Sequence, residues 1–144
     1  MHSRTDLSGQ DLSGAELALV HLAGANLSDT NLAGASGVAS DLSAANLTNA
    51  NLAGSRLIGV NLAGADLNGA DLTGAQFYGC DREAGCFYAN LTNADLTGAN
   101  LTGAVLTNSL LSGAIWSNTT CPDGTRSDTN GTSPQSCTGH GGGL

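Results

Sequence analysis

Ala65-Asp66-Leu67-Asn68-Gly69-Ala70-Asp71-Leu72-Thr73-Gly74 holds two copies of a five-residue beat, and the beat decides the fold. It returns as Ala25-Asn26-Leu27-Ser28-Asp29, Ala50-Asn51-Leu52-Ala53-Gly54, Ala94-Asp95-Leu96-Thr97-Gly98 and Ala99-Asn100-Leu101-Thr102-Gly103. On an α-helix five residues advance about 140° beyond a full turn, so successive leucines spiral around the axis. On a flat strand an odd period throws them onto opposite faces. Neither arrangement buries one side. The chain must therefore turn once per repeat, which points the leucines at a common axis and builds an all-β solenoid whose core lies between stacked coils.

The flanking positions agree. With the leucine called i, position i+2 is Gly at residues such as Gly54, Gly69 and Gly98, and Asn at Asn49, Asn93, Asn108 and Asn118. These residue types accept the positive φ that a type II turn requires at its third position. Position i−2 is small, as at Ala45, Ala65 and Ala94, which suits an interior too narrow for two large side chains.

Tandem Ala-(Asp/Asn)-Leu-x-x resembles the pentapeptide repeat family. The resemblance implies a right-handed quadrilateral β-helix with four repeats per coil, i and i−2 inside and the other three positions facing solvent. It covers residues 5–118, followed by an irregular tail, 119–144. Coils about 4.8 Å apart then stack into a rod roughly 26 Å tall. Two departures stand out. Gly37 takes a leucine position, where neighbouring Val38 is expected to fill the gap. After Phe77 the register slips, Arg82 falls on a core position, and the beat resumes at Leu91, so 80–88 reads as a bulge or loop.

The net charge is −8 and the chain has no lysine, which argues against direct nucleic-acid binding and against anionic lipid. With twenty residues per coil the acids stack outward in two ladders, Asp6-Asn26-Asn46-Asp66 and Asp11-Asn31-Asn51-Asp71. Stacked Asn side chains hydrogen-bond from coil to coil, which gives these residues a structural reading. The family supplies a sharper one. Some members resemble B-form DNA in shape and charge and bind type II topoisomerases such as DNA gyrase, so Asp6, Asp11, Asp66 and Asp71 mark a candidate interaction face. A rod of roughly 26 Å matches only about eight base pairs, which makes the mimic the alternative reading.

Trp116 is expected to cover the last open coil. Beyond it the composition changes to turn residues bracketed by cysteines. Cys121 and Cys137 read as a disulfide, worth about 3 kcal/mol in the chain-entropy model. Cys80 and Cys86 either pair across the irregular segment or leave Cys80 in a small inward slot. Two local pairs favour an oxidising compartment. No apolar stretch follows Met1, so either a leader is missing or the thiols stay reduced in the cytoplasm.

Asp123, Thr125, Asp128 and Asn130 alternate in the tail, which raises weak calcium binding in an exported module as a third reading, against ordinary Asx-turns. His2, His21 and His140 are scattered and the cysteines lack zinc spacing, so no metal site is expected. His21 beside Asp41 is the nearest thing to a catalytic dyad, and surface hydrogen bonding explains it better. No stretch is apolar enough to insert in a membrane. The expectation is a non-catalytic module without a cofactor, acting as a rigid structural or interaction element toward a protein partner.

Overall fold

A five-residue repeat has five backbone N–H groups, and around Leu47 each finds an acceptor. Ala50 N donates to Leu47 O across the turn at 3.0 Å. Leu47 N and Asn49 N donate to Asp66 O and Asn68 O in the next coil at 2.7 and 2.9 Å, and Asn46 N donates back to Ala25 O at 2.9 Å. That leaves Thr48 N, which donates to Oδ1 of Asn46 at 3.0 Å. Where an Asp or Asn precedes the leucine, it thus completes the backbone accounting of its own turn. Asn49 holds φ at 57° and Gly69 at 69°, the left-handed conformation that Asn and Gly tolerate best.

The computed structural model describes residues 4–83, 85–127 and 137. The described chain winds into a right-handed quadrilateral β-helix. Parallel bridges join residues twenty apart, such as Asp6 to Asn26 and Asn26 to Asn46. Four walls result. The inward residue is Leu27, Leu47, Leu67, Leu96 and Trp116 on wall 1, and Leu32, Leu52, Leu72, Leu101 and Cys121 on wall 2. It is Gly37, Leu57, Phe77 and Leu106 on wall 3, and Leu42, Leu62 and Leu91 on wall 4. Together with the small i−2 residues these form one continuous core.

One step of the stack is longer. Asn61 bridges Asn90, twenty-nine residues on, and the extra residues leave wall 3 as an antiparallel hairpin. Its strands are β1, Tyr78–Asp81, and β2, Gly85–Tyr88. The register places Tyr78 opposite Tyr88, Gly79 opposite Phe87 and Cys80 opposite Cys86. Arg82 therefore sits in the hairpin turn rather than in the core.

Gly37 corrects a second expectation. Val38 does not fill the gap: it is half-buried and lines an outer groove with Ile58 and Phe87. The missing leucine leaves an internal void of about 20 Å³ bordered by Leu17, Ser40, Ser55 and Leu57 among others. The i+1 residue follows the turn outward, so Val38 cannot point to the axis.

At the far end the coil runs past residue 118. Thr120 bridges Asn100, and Gly103 N donates to Pro122 O at 2.8 Å. Arg126 then doubles back as an antiparallel partner of Thr120, and the Ser127 hydroxyl donates to the Trp116 carbonyl.

Candidate functional site

Walls 1, 2 and 4 carry Asp or Asn before the inward residue except at His21, Leu110, Ile115 and Thr120, and wall 3 carries none: its residues there are Glu16, Ser36, Arg56, Gln76 and Val105. On the first three walls the amide of each Asn reaches the coil beneath. Asn26 Nδ2 donates to Asp6 Oδ1 at 3.1 Å, Asn31 Nδ2 to Asp11 Oδ1 at 3.0 Å and Asn61 Nδ2 to Asp41 Oδ1 at 3.1 Å. On wall 3 no side-chain acceptor meets the N–H of Ala18, Val38 or Ile58 among the described residues.

Other departures collect on the same wall. Leu19 is 72% exposed and sits at φ 61°, where the repeat prefers Gly or Asn. The Ser55 hydroxyl is buried with no hydrogen-bond partner, in a slot that holds Ala35 one coil away. Gly37 leaves its void here, and here the hairpin emerges. Outward, wall 3 shows Ala18, Val38 and Ile58 where wall 1 shows Ser8, Ser28 and Thr48.

The hairpin lies back against this wall. A Cβ on Gly79 would stand 2.7 Å from Ile58 Cδ1, and one on Gly59 would stand 3.2 Å from Phe87 Cβ, so each glycine backbone lies against a side chain of the other element. Gly79 and Phe87 share the inward face of the hairpin. The opposite face carries the Tyr78 and Tyr88 rings, stacked with centroids 5.6 Å apart. A disulfide joins Cys80 to Cys86. Phe87 and Tyr88 remain 43% and 40% exposed. Between hairpin and wall, Val38, Arg56, Ile58, Gly79, Cys80 and Phe87 line an open groove of about 230 Å³.

The structure distributes the residues singled out by sequence as follows. Asp6 and Asp66 lie on wall 1, and Asp11 and Asp71 on the adjoining wall 2. Their Oδ1 atoms accept from the N–H two residues on: Ser8, Asn68, Ser13 and Thr73 respectively. The Ser8 hydroxyl, then the Ser8 N–H, hold the Asp6 carboxyl below its ordinary value; Ser13 does the same for Asp11, and Ser43 for Asp41. Asp66 bridges Asp95 in the next coil, a step with no Asn amide to link the two side chains.

Trp116 occupies the inward position of wall 1 and is buried under the returning Ser127. Cys121 occupies the inward position of wall 2 and is bonded to Cys137, both fully buried. His21 and Asp41 are bridged neighbours on wall 4, and Asp41 Oδ1 accepts from the N–H of Ser43 at 3.1 Å. Asp123 Oδ1 accepts from Thr125 N and Oγ1 at 2.9 and 2.7 Å, an Asx-turn. Asp128, Asn130, His2 and His140 lie outside the described residues. Among the described residues no cluster of metal-ligating side chains occurs, and no helix is long and apolar enough to cross a membrane.

Sequence reasoning named 80–88, placed Val38 inward instead of in the groove, and missed Arg56 and Ile58. Reading every twentieth residue, Ala18, Val38, Ile58 and Tyr78, exposes the apolar column.

The chain matches the pentapeptide repeats family, with eight copies over residues 3–36, 40–81 and 88–119. A search of curated proteins returns no significant match. Among solved structures it is similar to the pentapeptide repeat protein Rfr23 of the cyanobacterium Cyanothece 51142, at 28% identity and a TM-score of 0.59, covering 79% of this chain and 85% of that one. It also matches HetL of Nostoc sp. strain PCC 7120, a pentapeptide repeat protein involved in heterocyst differentiation regulation, at 30% identity and a TM-score of 0.35. That match covers 85% of this chain and 66% of HetL. A third match is QnrB1, a plasmid-mediated fluoroquinolone resistance protein, at 22% identity and a TM-score of 0.45, covering 78% and 63% of the two chains. The repeat, its coil geometry and the family match together make this chain a member of the pentapeptide repeat family.

Proposed function

We propose that the chain is a non-catalytic interaction module that docks a protein partner on wall 3 through the β1–β2 hairpin. One observation carries this reading: wall 3 combines a missing leucine and an inserted hairpin with further departures from the repeat, whereas wall 4 has only an unpartnered Ser109 hydroxyl, Ala44 at φ 52° and two breaks in its Asp/Asn column. A missing leucine, an unpartnered hydroxyl, a leucine at positive φ, the lost Asp/Asn ladder and an inserted hairpin each cost stability. Natural proteins tolerate such conflicts where function requires them. A disulfide-closed hairpin with exposed Phe87 and Tyr88 also supplies rigid aromatic anchors of the kind that dominate protein interfaces.

The test is a photo-crosslinking amino acid placed at Phe87, at Thr48 on wall 1 and at Ala53 on wall 2, in the native host. A discrete adduct from position 87 alone supports the reading. Adducts from 48 or 53 with none from 87 move the interface to another wall and overturn it.

The alternative is the DNA mimic directed at a type II topoisomerase. Asp66 and Asp95, neighbours on wall 1, favour it, because they place two acids in succession on one outward column. It predicts that the purified protein inhibits gyrase supercoiling and that Asp66→Lys with Asp71→Lys abolishes the effect. Inhibition unchanged by both substitutions removes walls 1 and 2 as the mimicking surface.

A further inference from the structure

The groove on wall 3 is more selective than the wall around it. Its volume of about 230 Å³ lies below the range of roughly 300–1,000 Å³ typical of drug-sized ligands, and it suits one bulky side chain. Its width is set in advance. Gly79 abuts Ile58, Gly59 abuts Phe87, and the Cys80–Cys86 bond ties β1 to β2. Preformed walls spare a ligand the cost of ordering them.

Arg56 gives the groove its chemistry. It takes the position that holds Asp or Asn on the other walls, and in a chain of net charge −8 it is one of four basic side chains. It is exposed, and no hydrogen bond or ion pair engages its guanidinium among the described residues. A guanidinium offers a planar fork that matches a carboxylate. Val38, Ile58 and Phe87 beside it ask for an apolar group, so the two demands together describe one ligand.

We propose that the groove binds a segment of a partner protein that inserts one bulky apolar side chain between Ile58 and Phe87 and lays an adjacent carboxylate on Arg56. The small, open volume favours a peptide: a chain enters and leaves with one side chain seated, whereas a long acyl chain would leave most of its length in water. This rests on wall 3 being the docking wall and adds what the docked segment must look like.

The experiment is an NMR titration of the isotope-labelled, disulfide-intact protein with four capped peptides. Two contain Phe-Glu and Glu-Phe, and two are their Gln counterparts; decanoate serves as a fifth probe. The expected result is shifts centred on Val38, Ile58 and Phe87. An acidic peptide should bind about fivefold tighter than its Gln form, and the preference should vanish in Arg56→Gln, whose melting temperature stays that of the parent. Equal binding of acidic and Gln peptides, no shift at these residues at 10 mM peptide, or binding of decanoate alone overturns the proposal. If these peptides fail while position 87 still crosslinks to a protein, the docking wall stands and only this assignment falls.

Discussion

Walls 1 and 3 stand on opposite sides of one rod, share one core and differ in what they do with the residue before the leucine. On wall 1 that residue is Asp or Asn at Asp6, Asn26, Asn46, Asp66 and Asp95. It closes its own turn and, where it is Asn above an acceptor, stitches coil to coil. On wall 3 it is Glu16, Ser36, Arg56, Gln76 or Val105, and no side-chain acceptor meets the N–H of Ala18, Val38 or Ile58 among the described residues. The repeat thus separates two tasks: inward positions specify the fold on every wall, while outward positions are free to specify something else on one.

Truncating an inward residue should therefore hurt equally on either kind of wall. Phe77 and Leu72 are fully buried on walls 3 and 2. Phe77→Ala should cost about 3–5 kcal/mol and Leu72→Ala about 2–5 kcal/mol, read from denaturant midpoints. A cost for Phe77→Ala near zero would show that wall 3 is not packed like the rest, and the comparison would fail at its base.

Removing a defect of wall 3 should have the opposite sign. The Ser55 hydroxyl is buried without a partner, and the equivalent slot holds Ala35 in the preceding coil. Ser55→Ala should stabilise by about 1–2 kcal/mol, because it removes an unsatisfied group and keeps the small side chain the slot wants. Loss of stability would mean that the hydroxyl has a partner after all.

Leu19 sharpens the same point with a smaller number. It sits at φ 61° and is largely exposed, while Asn49 takes the corresponding turn position on wall 1 at φ 57°. Leu19→Asn should stabilise by about 1 kcal/mol through relief of left-handed strain. If wall 3 docks a partner, the same substitution should weaken the crosslink at position 87. A gain in stability with docking unchanged would confine the interface to the hairpin.

Most of the fold was legible because five-residue spacing admits so few solutions, and the ladders followed once twenty residues made a coil. The insertion was legible as well, since a beat that resumes at Leu91 must have shed residues somewhere after Phe77. What the hairpin does next was not. Its return onto wall 3 depends on Gly79 meeting Ile58 and Phe87 meeting Gly59, contacts between residues more than twenty positions apart that no local pattern announces. Val38 was misplaced for a related reason: adjacency to a missing leucine says nothing about direction, and the turn sends i+1 outward. Trp116, expected to cover the last open coil, stands in line with Leu96 on wall 1, and Ser127 returns over it.

The smallest expected effect is on pH dependence, and it separates the walls by chemistry. Asp6, Asp11 and Asp41, on walls 1, 2 and 4, have carboxyls held below their ordinary value of 3.8, chiefly by the hydroxyls of Ser8, Ser13 and Ser43. A carboxyl whose pKa is lower folded than unfolded adds stability above the unfolded value and loses it as pH falls through the folded value. Melting temperature should thus be flat between pH 7 and about 5 and decline below about 4. The decline should be shallower in the triple variant Asp6→Asn, Asp11→Asn, Asp41→Asn, which keeps a side-chain oxygen for each turn but removes the titration. A triple variant as acid-sensitive as the parent would move the source of acid loss away from the ladders of walls 1, 2 and 4.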